Sequence, residues 1–109
     1  MADSLKILGQ INPSATTLTD LYVVPGSTST AVSSLVVCNR SSSATTFRVS
    51  VAQAGAADSL LQYLYYDVSV MGNSSFVATI GITLASTDKI RCYAGAATLT
   101  FSVFGVEVI

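Results

Sequence analysis

This chain of 109 residues has no histidine and no tryptophan, and only 10% of its residues are charged. Without histidine no Ser-His or Cys-His pair can form, and the commonest general base and metal ligand is missing. Soluble domains generally carry roughly 25% charged residues. The net charge of -1 gives no electrostatic reason to bind nucleic acid or an anionic membrane. We therefore expect no enzymatic activity, no cofactor, no metal, no nucleic acid and no membrane partner.

Cysteine is scarce as well, with only Cys38 and Cys92. The apolar stretch near the N-terminus is too short for a signal peptide, so we expect synthesis in a cytosol and free buried thiols rather than a disulfide. Cys38 lies near Arg40, which could favour a thiolate. A phosphate-binding Cys-x5-Arg loop would need arginine at position 44, where the chain has Ala44. Cys38 also ends the apolar run SLVVC, so we predict that it is a small core residue.

Alternation with a period of two is the strongest pattern that the chain does contain. In 76–84, for example, Phe76, Ala78 and Ile80 can face a core while the residues between them face outward. Turn-forming stretches such as PGSTS and NRSSSAT separate the alternating segments. The predicted strands are 5–11, 17–24, 30–39, 46–53, 60–70, 75–84, 88–94 and 98–108. This pattern predicts an all-β fold, an antiparallel β-sandwich of about eight strands, jelly-roll or immunoglobulin-like, with residues 1–109 as one domain.

Two segments leave alternatives open. Residues 58–64, DSLLQYL, could form a short helix capped by Asp58 instead of the start of a strand. The last strand is apolar on both faces, which is typical of a central strand, of a strand with a bulge at Gly105, or of a strand covered by a partner.

Scarce surface charge favours lasting contacts with other protein subunits. The predicted contact residues are Phe104, Val106, Val108 and Tyr66, with Arg40 and Arg48 positioned to orient a neighbour.

The segment QYLYYD offers a different function. Tyrosines beside an amide and a carboxylate can stack on a sugar and form hydrogen bonds with it. The residues of this alternative site are Tyr63, Tyr65, Tyr66 and Asp67. Two further possibilities are weaker: a pair of acidic residues acting as acid and base, and a calcium site formed by Asp58, Asp67 and Asn73.

Four long segments of the chain resemble a family of small structural proteins from tailed bacteriophages. They are LYVVPGSTSTAVSSLVVCNRSSSATTFRVSVAQAGA, QYLYYDVSV, ITLASTDKIRCYAG and LTFSVFGVEV. Members of that family commonly share a VCNRS…TTFRV hairpin and a closing FGVE. The resemblance covers nearly the whole chain and implies a virion component without enzymatic activity, on the head, the tail or a fibre. It implies contacts with other virion proteins and a homo-oligomer, which we expect to be a trimer from the symmetry of phage fibres and head decoration proteins. The alternative is a carbohydrate-binding module that recognises the host surface.

Overall fold

The structure, a computed structural model, describes residues 3–109 and has eight strands in two sheets. The strands are β1 Asp3–Ile11, β2 Thr19–Val23, β3 Ser29–Asn39, β4 Thr45–Ala52, β5 Tyr63–Val70, β6 Ser75–Leu84, β7 Lys89–Ala94 and β8 Leu99–Val108. All eight predicted strands are confirmed. The possible helix over 58–64 is only a single 3-10 turn at Leu60–Gln62, and no side chain caps it. Asp58 instead accepts a hydrogen bond from the hydroxyl of Tyr63.

The strand order shows that the sandwich is a jelly roll. Sheet A has the order β1-β8-β3-β6, and sheet B has the order β2-β7-β4-β5. The pairs β1–β8, β2–β7, β3–β6 and β4–β5 are all antiparallel. A long hairpin rolled into a sandwich produces this nested pairing. The jelly-roll alternative of the prediction is therefore the one that the topology supports.

The core lies between the two sheets and is built from the predicted alternating residues. Phe47 from sheet B and Phe101 from sheet A are fully buried, with ring centroids 6.1 Å apart. Truncating a buried phenylalanine to alanine costs about 3–5 kcal/mol, so these two rings hold the sheets together. Cys92 is also fully buried, and desolvation raises the pKa of its thiol to about 12.

A β-bulge in β3 changes which residues face the core. Val32 pairs with Gly105 and Ser34 with Phe104, so Ser33 is an extra residue on β3. The bulge predicted at Gly105 therefore lies on the neighbouring strand, while Gly105 lets that strand approach. A Cβ at Gly105 would overlap the carbonyl oxygen of Ala31.

The position predicted for Cys38 is wrong because of this bulge. Beyond Ser33, Leu35 and Val37 face the core, whereas Val36 and Cys38 face outward and are only half-buried. Cys38 and Cys92 are both free and lie on opposite sides of the sandwich core, so they cannot pair.

The two sides of the sandwich at which the edges of the sheets meet are closed to different extents. On one side β1 approaches β2 so closely that a Cβ at Gly9 would overlap the carbonyl oxygen of Leu21. On the other side, the gap between β6 and the turn before β5 is a groove of about 460 Å³. Its lining includes Val51, Leu61 and Ile82. The β5–β6 side is therefore the open one.

Candidate functional site

The candidate contact site is the outer face of sheet A, and the strand register defines it. Side chains directly opposite each other on paired strands lie on the same face of a sheet. Phe104 of β8 pairs with Ile7 of β1 and with Ser34 of β3. Val106 pairs in the same way with Leu5 and Ala31. The face continues across β6 through Ser75, Val77, Thr79, Gly81 and Thr83.

The three predicted contact residues of β8 lie in the middle of this face. Phe104, Val106 and Val108 are half-buried by the side chains around them. Beside them, Leu5 is 87% exposed and Ile7 is 53% exposed. These two residues were missed in the sequence because the apolar run of β1 did not show which strand would lie beside it. The pairing of the first strand with the last, once known, places them next to Phe104 and Val106.

Sheet A's outer face carries almost no charge. Within the described chain, the charged side chain on this face is that of Asp3, at the corner where β1 pairs with Val108. Lys6 and Glu107, on the same two strands, point to the other side of the sheet and form an ion pair of 2.7 Å. The other positions are uncharged and include the hydroxyl groups of Ser102 and Thr79 and the amide of Gln10. A partner could cover this face without removing water from a charged group.

The outer face of sheet B is built differently, around Arg48. Its Nε donates to Oδ1 of Asp67 at 2.7 Å, and its Nη2 donates to Oδ2 at 3.3 Å. The guanidinium lies 4.1 Å from the ring centroid of Tyr66 and 4.5 Å from that of Tyr93. A hydrogen-bonded carboxylate and two cation–π contacts fix the position of this arginine. We call Arg48, Tyr63, Tyr66, Asp67 and Tyr93 the Arg48 cluster.

A bulge in β5 brings the cluster together. Val68 pairs with Phe47 and Tyr65 with Val49, so two residues of β5 lie opposite Arg48. One of them, Asp67, has a φ of 54°, a left-handed conformation that aspartate tolerates better than most residues. The bulge therefore turns both Tyr66 and Asp67 toward the arginine.

A second register shift in β5, where Val49 pairs with Tyr65 but Ser50 pairs with Tyr63, separates the tyrosines of the predicted sugar site. Tyr65 faces the core, with its ring centroid 5.2 Å from that of Phe76. Tyr63 and Tyr66 face outward and make an edge-to-face contact at 5.1 Å. The pKa of Tyr63 is raised, first by burial and then by its hydrogen bond to Asp58. A ligand on the outer surface could therefore reach Tyr63, Tyr66 and Asp67 but not Tyr65.

The remaining predicted site residues have separate structural partners. Arg40 is exposed at one end of the sandwich, where its Nη2 donates to Oδ1 of Asn12 at 3.1 Å. The three groups of the possible calcium site are held apart: Asp58 by Tyr63, Asp67 by Arg48, and Asn73 in the β5–β6 turn. Between residues 3 and 109 no three His, Cys, Asp or Glu side chains form a group that could hold a metal. No helix in this range has the length and apolar character needed to cross a membrane.

A buried polar network at one end of the core was also missed in the sequence. Tyr22 donates its hydroxyl to Oε2 of Glu107 at 2.5 Å and lies 2.8 Å from the hydroxyl of Thr30. The hydrogen bond from Lys6 and then that from Tyr22 lower the pKa of Glu107. Burial, followed by the bond to Glu107, raises the pKa of Tyr22 to about 12. Each of these polar groups has a partner, so the network anchors β8 to β1, β2 and β3.

Comparison with known proteins gives only distant likenesses. No protein-family model matches the chain, and no curated protein matches it. Two solved structures, both described as pentameric capsid proteins isolated from metagenomic phage sequences, match 95% of the chain. Their TM-scores are 0.39 and 0.38 and their identities are 16% and 19%. The chain spans 64% and 63% of the length of those proteins, and a likeness this low carries no argument about function.

Proposed function

We propose that this chain is a non-enzymatic structural subunit of a tailed-phage virion, carried on the head, the tail or a fibre. It binds neighbouring virion proteins through the outer face of sheet A. The observation that carries the proposal is the extent of this face, to which all four strands contribute apolar and uncharged polar side chains. In the described part of the chain, the one charged residue on this face is Asp3, at its corner. The resemblance of the sequence to small phage structural proteins supports the same function.

The exposed aliphatic residues of β1 are the part of this face that a partner would cover most completely. Leu5 and Ile7 extend the apolar area formed by Phe104 and Val106 to the edge of the sheet. Burial of apolar surface contributes about 25 cal/mol per Å², so a contact here gains free energy without charge desolvation. The trimer expected from phage symmetry rests on no residue of the chain. We therefore propose a homo-oligomer without a specified copy number.

Binding of the purified chain to particles that lack it tests this function. We expect the wild-type chain to bind and a Leu5→Lys, Ile7→Lys variant to lose binding, because two ammonium groups would have to be desolvated in the contact. Val23→Lys is the matched control: Val23 is an apolar residue of β2 that is 44% exposed, and β2 belongs to the other sheet. Equal binding of the double variant, or absence of the chain from particles purified from producing cells, would contradict the proposal.

A second candidate function is recognition of a host glycan by the Arg48 cluster. The observation in its favour is Tyr66, which is 50% exposed beside the immobilised guanidinium of Arg48. Aromatic rings held in this way present a flat apolar surface next to polar groups. A glycan array would show binding that Tyr66→Ala abolishes and Tyr93→Phe retains. If no glycan on the array is bound, the cluster is a structural feature or a protein contact.

A further inference from the structure

Strand β1 is the strand that the core holds least. Each of the other seven strands has at least one buried residue, whereas β1 has none. The residues of its first half, Asp3 to Ile7, are all exposed, and in its second half Leu8 and Ile11 pack partly against the core. A terminal strand with so little buried surface opens at a lower free energy than the strands that build the core.

The edge of β8 that β1 covers needs a strand beside it. Backbone pairing runs along almost the whole of β1, from Asp3 to Ile11. An ion pair adds to it, because Nζ of Lys6 lies 2.7 Å from Oε1 of Glu107. Without β1, the ten mostly apolar residues of β8 would form an unpaired edge, which readily pairs with another strand. The strand that fits this edge is β1, from the same chain or from another copy.

The connection between β1 and β2 contains a strained residue. Thr16 has a φ of 54°, a left-handed conformation that a β-branched residue rarely adopts. Residues 14–17 are all exposed, so this connection can straighten without uncovering the core. The N–H of Thr16 donates to the carbonyl of Ala94 at 2.8 Å, and water replaces this bond when the connection opens. A strained short connection beside a weakly held terminal strand favours exchange of that strand between copies.

We infer that β1 is an exchangeable arm, which in the homo-oligomer pairs with β8 of a second copy instead of β8 of its own chain. The inference rests on the proposed homo-oligomer and specifies how its copies are joined. A second copy is the partner because the exchanged arm makes the contacts that the closed chain already has, including the ion pair of Lys6 with Glu107. The closed and exchanged states differ in the connection, where exchange releases the strain at Thr16.

Exchange would make the candidate contact face a surface of two chains. Leu5 and Ile7 of one copy would lie beside Phe104 and Val106 of the other, in the register that the closed chain has. A closed and an exchanged chain therefore present the same outer face of sheet A. Binding to particles through that face does not depend on exchange, so the two properties can be measured separately.

Single thiols on separate chains show which copy the arm pairs with. Gln10 and Ser102 lie opposite each other, and Nε2 of Gln10 donates to Oγ of Ser102 at 3.3 Å. Directly opposite residues of antiparallel strands lie within the range that a disulfide bridges. We expect a Gln10→Cys chain mixed with a Ser102→Cys chain to form a covalent dimer on oxidation. The mixture is held at about 1 mM, which competes with the effective concentration of a strand on a short linker. Cys38→Ser in both chains removes the half-buried native thiol.

A matched mixture measures accidental cross-linking. Ser69 is an exposed serine of β5, in the other sheet, so a Gln10→Cys chain mixed with a Ser69→Cys chain should give only background covalent dimer. Both chains of this control also carry Cys38→Ser. Equal cross-linking in the two mixtures, or no covalent dimer in either of them, would overturn the inference.

The strain at Thr16 provides a second test, which needs no added thiol. Glycine adopts a left-handed conformation without strain, so Thr16→Gly should favour the closed chain and raise the dissociation constant of the exchanged dimer about 10-fold in sedimentation. Thr87→Gly is the matched control, because Thr87 has a φ of 70° in the β6–β7 turn, which exchange leaves closed. This control should leave the dissociation constant unchanged.

The outcomes separate this inference from the proposed function. A wild-type chain that is monomeric at about 1 mM, or equal effects of Thr16→Gly and Thr87→Gly, would overturn the inference. The thiol and glycine experiments are independent, so if a variant of one does not fold the other decides. Failure of exchange leaves the proposed function standing, since a closed chain still presents Leu5 and Ile7. A chain that exchanges its arm but does not bind particles would contradict the particle contact alone.

Discussion

At the scale of single residues, several polar side chains hold loops and strands in place. Asn39 is 1% exposed, and its amide group fastens the β3–β4 loop to the β5–β6 turn. Asp88 accepts hydrogen bonds from the backbone N–H groups of Ala54 and Ala85. Arg48 is held by a carboxylate and two rings. These side chains therefore stabilise the fold through the contacts that they make.

The Asn39 side chain provides the first prediction. Its Nδ2 donates to the carbonyl groups of Ser43 and Val70, and its Oδ1 accepts from the N–H of Ser41. Asn39→Ala leaves these groups without partners, and each buried one costs about 1–3 kcal/mol. We expect the free energy of unfolding in urea to fall by about 2–4 kcal/mol. The exposed amide of Gln53 is the control, and Gln53→Ala should change stability by less than about 0.5 kcal/mol. Equal effects of the two substitutions would contradict the anchoring role.

The pair of Tyr22 and Glu107 predicts a stability that depends on pH at both ends. The lowered pKa of Glu107 means that its contribution is present above the ordinary value of 4.5 and is lost as the pH falls through the folded value. The pKa of Tyr22 is raised from 10.0 to about 12, so its contribution is present below pH 10 and is lost between pH 10 and 12. We expect Glu107→Gln to flatten the acid side of a stability–pH curve measured by urea unfolding.

Tyr22→Phe should flatten the alkaline side of the same curve. The thiol of Cys92, with its pKa raised to about 12, contributes in the same alkaline range and remains in this variant. A Cys92→Ala variant therefore separates the two groups. An alkaline slope that Tyr22→Phe leaves unchanged would show that the phenol does not stay protonated in the folded state.

At the scale of strands and turns, alternation predicted which strands exist but not how they are displaced from regular pairing. Strands such as β6 alternate from end to end, so their ends and core faces follow directly from the sequence. The bulges at Ser33 and Asp67 have no compositional mark, because serine and aspartate are common in loops and on outward faces. The first bulge moved Cys38 out of the core, and a further register shift in β5 placed Tyr63 and Tyr65 on opposite faces of the sheet.

The candidate contact face shows the same limit for pairing over long distances in the chain. The apolar residues of β8 were found because a strand apolar on both faces is unusual. Leu5 and Ile7 could not be joined to them, since β1 and β8 are adjacent in a jelly roll but not in every eight-stranded sandwich. Local patterns do not specify which distant strands pair, and the choice between jelly-roll and immunoglobulin-like topology depended on that pairing.

Glycine substitutions test the geometry of the bulged region. Gly105→Ala places a methyl group against the carbonyl oxygen of Ala31 and the Cα of Val32, so the two strands must separate. We expect a loss of about 1–3 kcal/mol in the free energy of unfolding. Gly81→Ala is the matched control in β6 of the same sheet, where the added methyl group meets nothing, and its effect should stay within about 0.5 kcal/mol. A tolerated Gly105→Ala would mean that β3 and β8 are not held at this distance.

At the scale of the whole molecule, charge is divided between the two sheets. Sheet B carries ion pairs across its outer face, from Asp20 with Lys89 and Arg91 to Arg48 with Asp67. The outer face of sheet A, in the part of the chain that the structure describes, carries one charged residue, Asp3, at its corner. The two faces are therefore suited to different surroundings. Sheet B can remain in water, which solvates the exposed carboxylates of Asp20 and Asp67, whereas sheet A gains from being covered.

This division predicts how binding to particles responds to salt. Contacts formed by exposed charges weaken as the Debye length falls from about 10 Å at 0.1 M to about 3 Å at 1 M ionic strength. A contact through the outer face of sheet A has no such charges to screen. We expect the fraction of chain bound to particles to stay constant or to rise between 0.1 and 1 M NaCl, values that span about this range of screening. An Arg48→Ala variant should behave in the same way, because its charge lies on the other sheet. Release of the wild-type chain at high salt would instead place the contact on the charged face of sheet B.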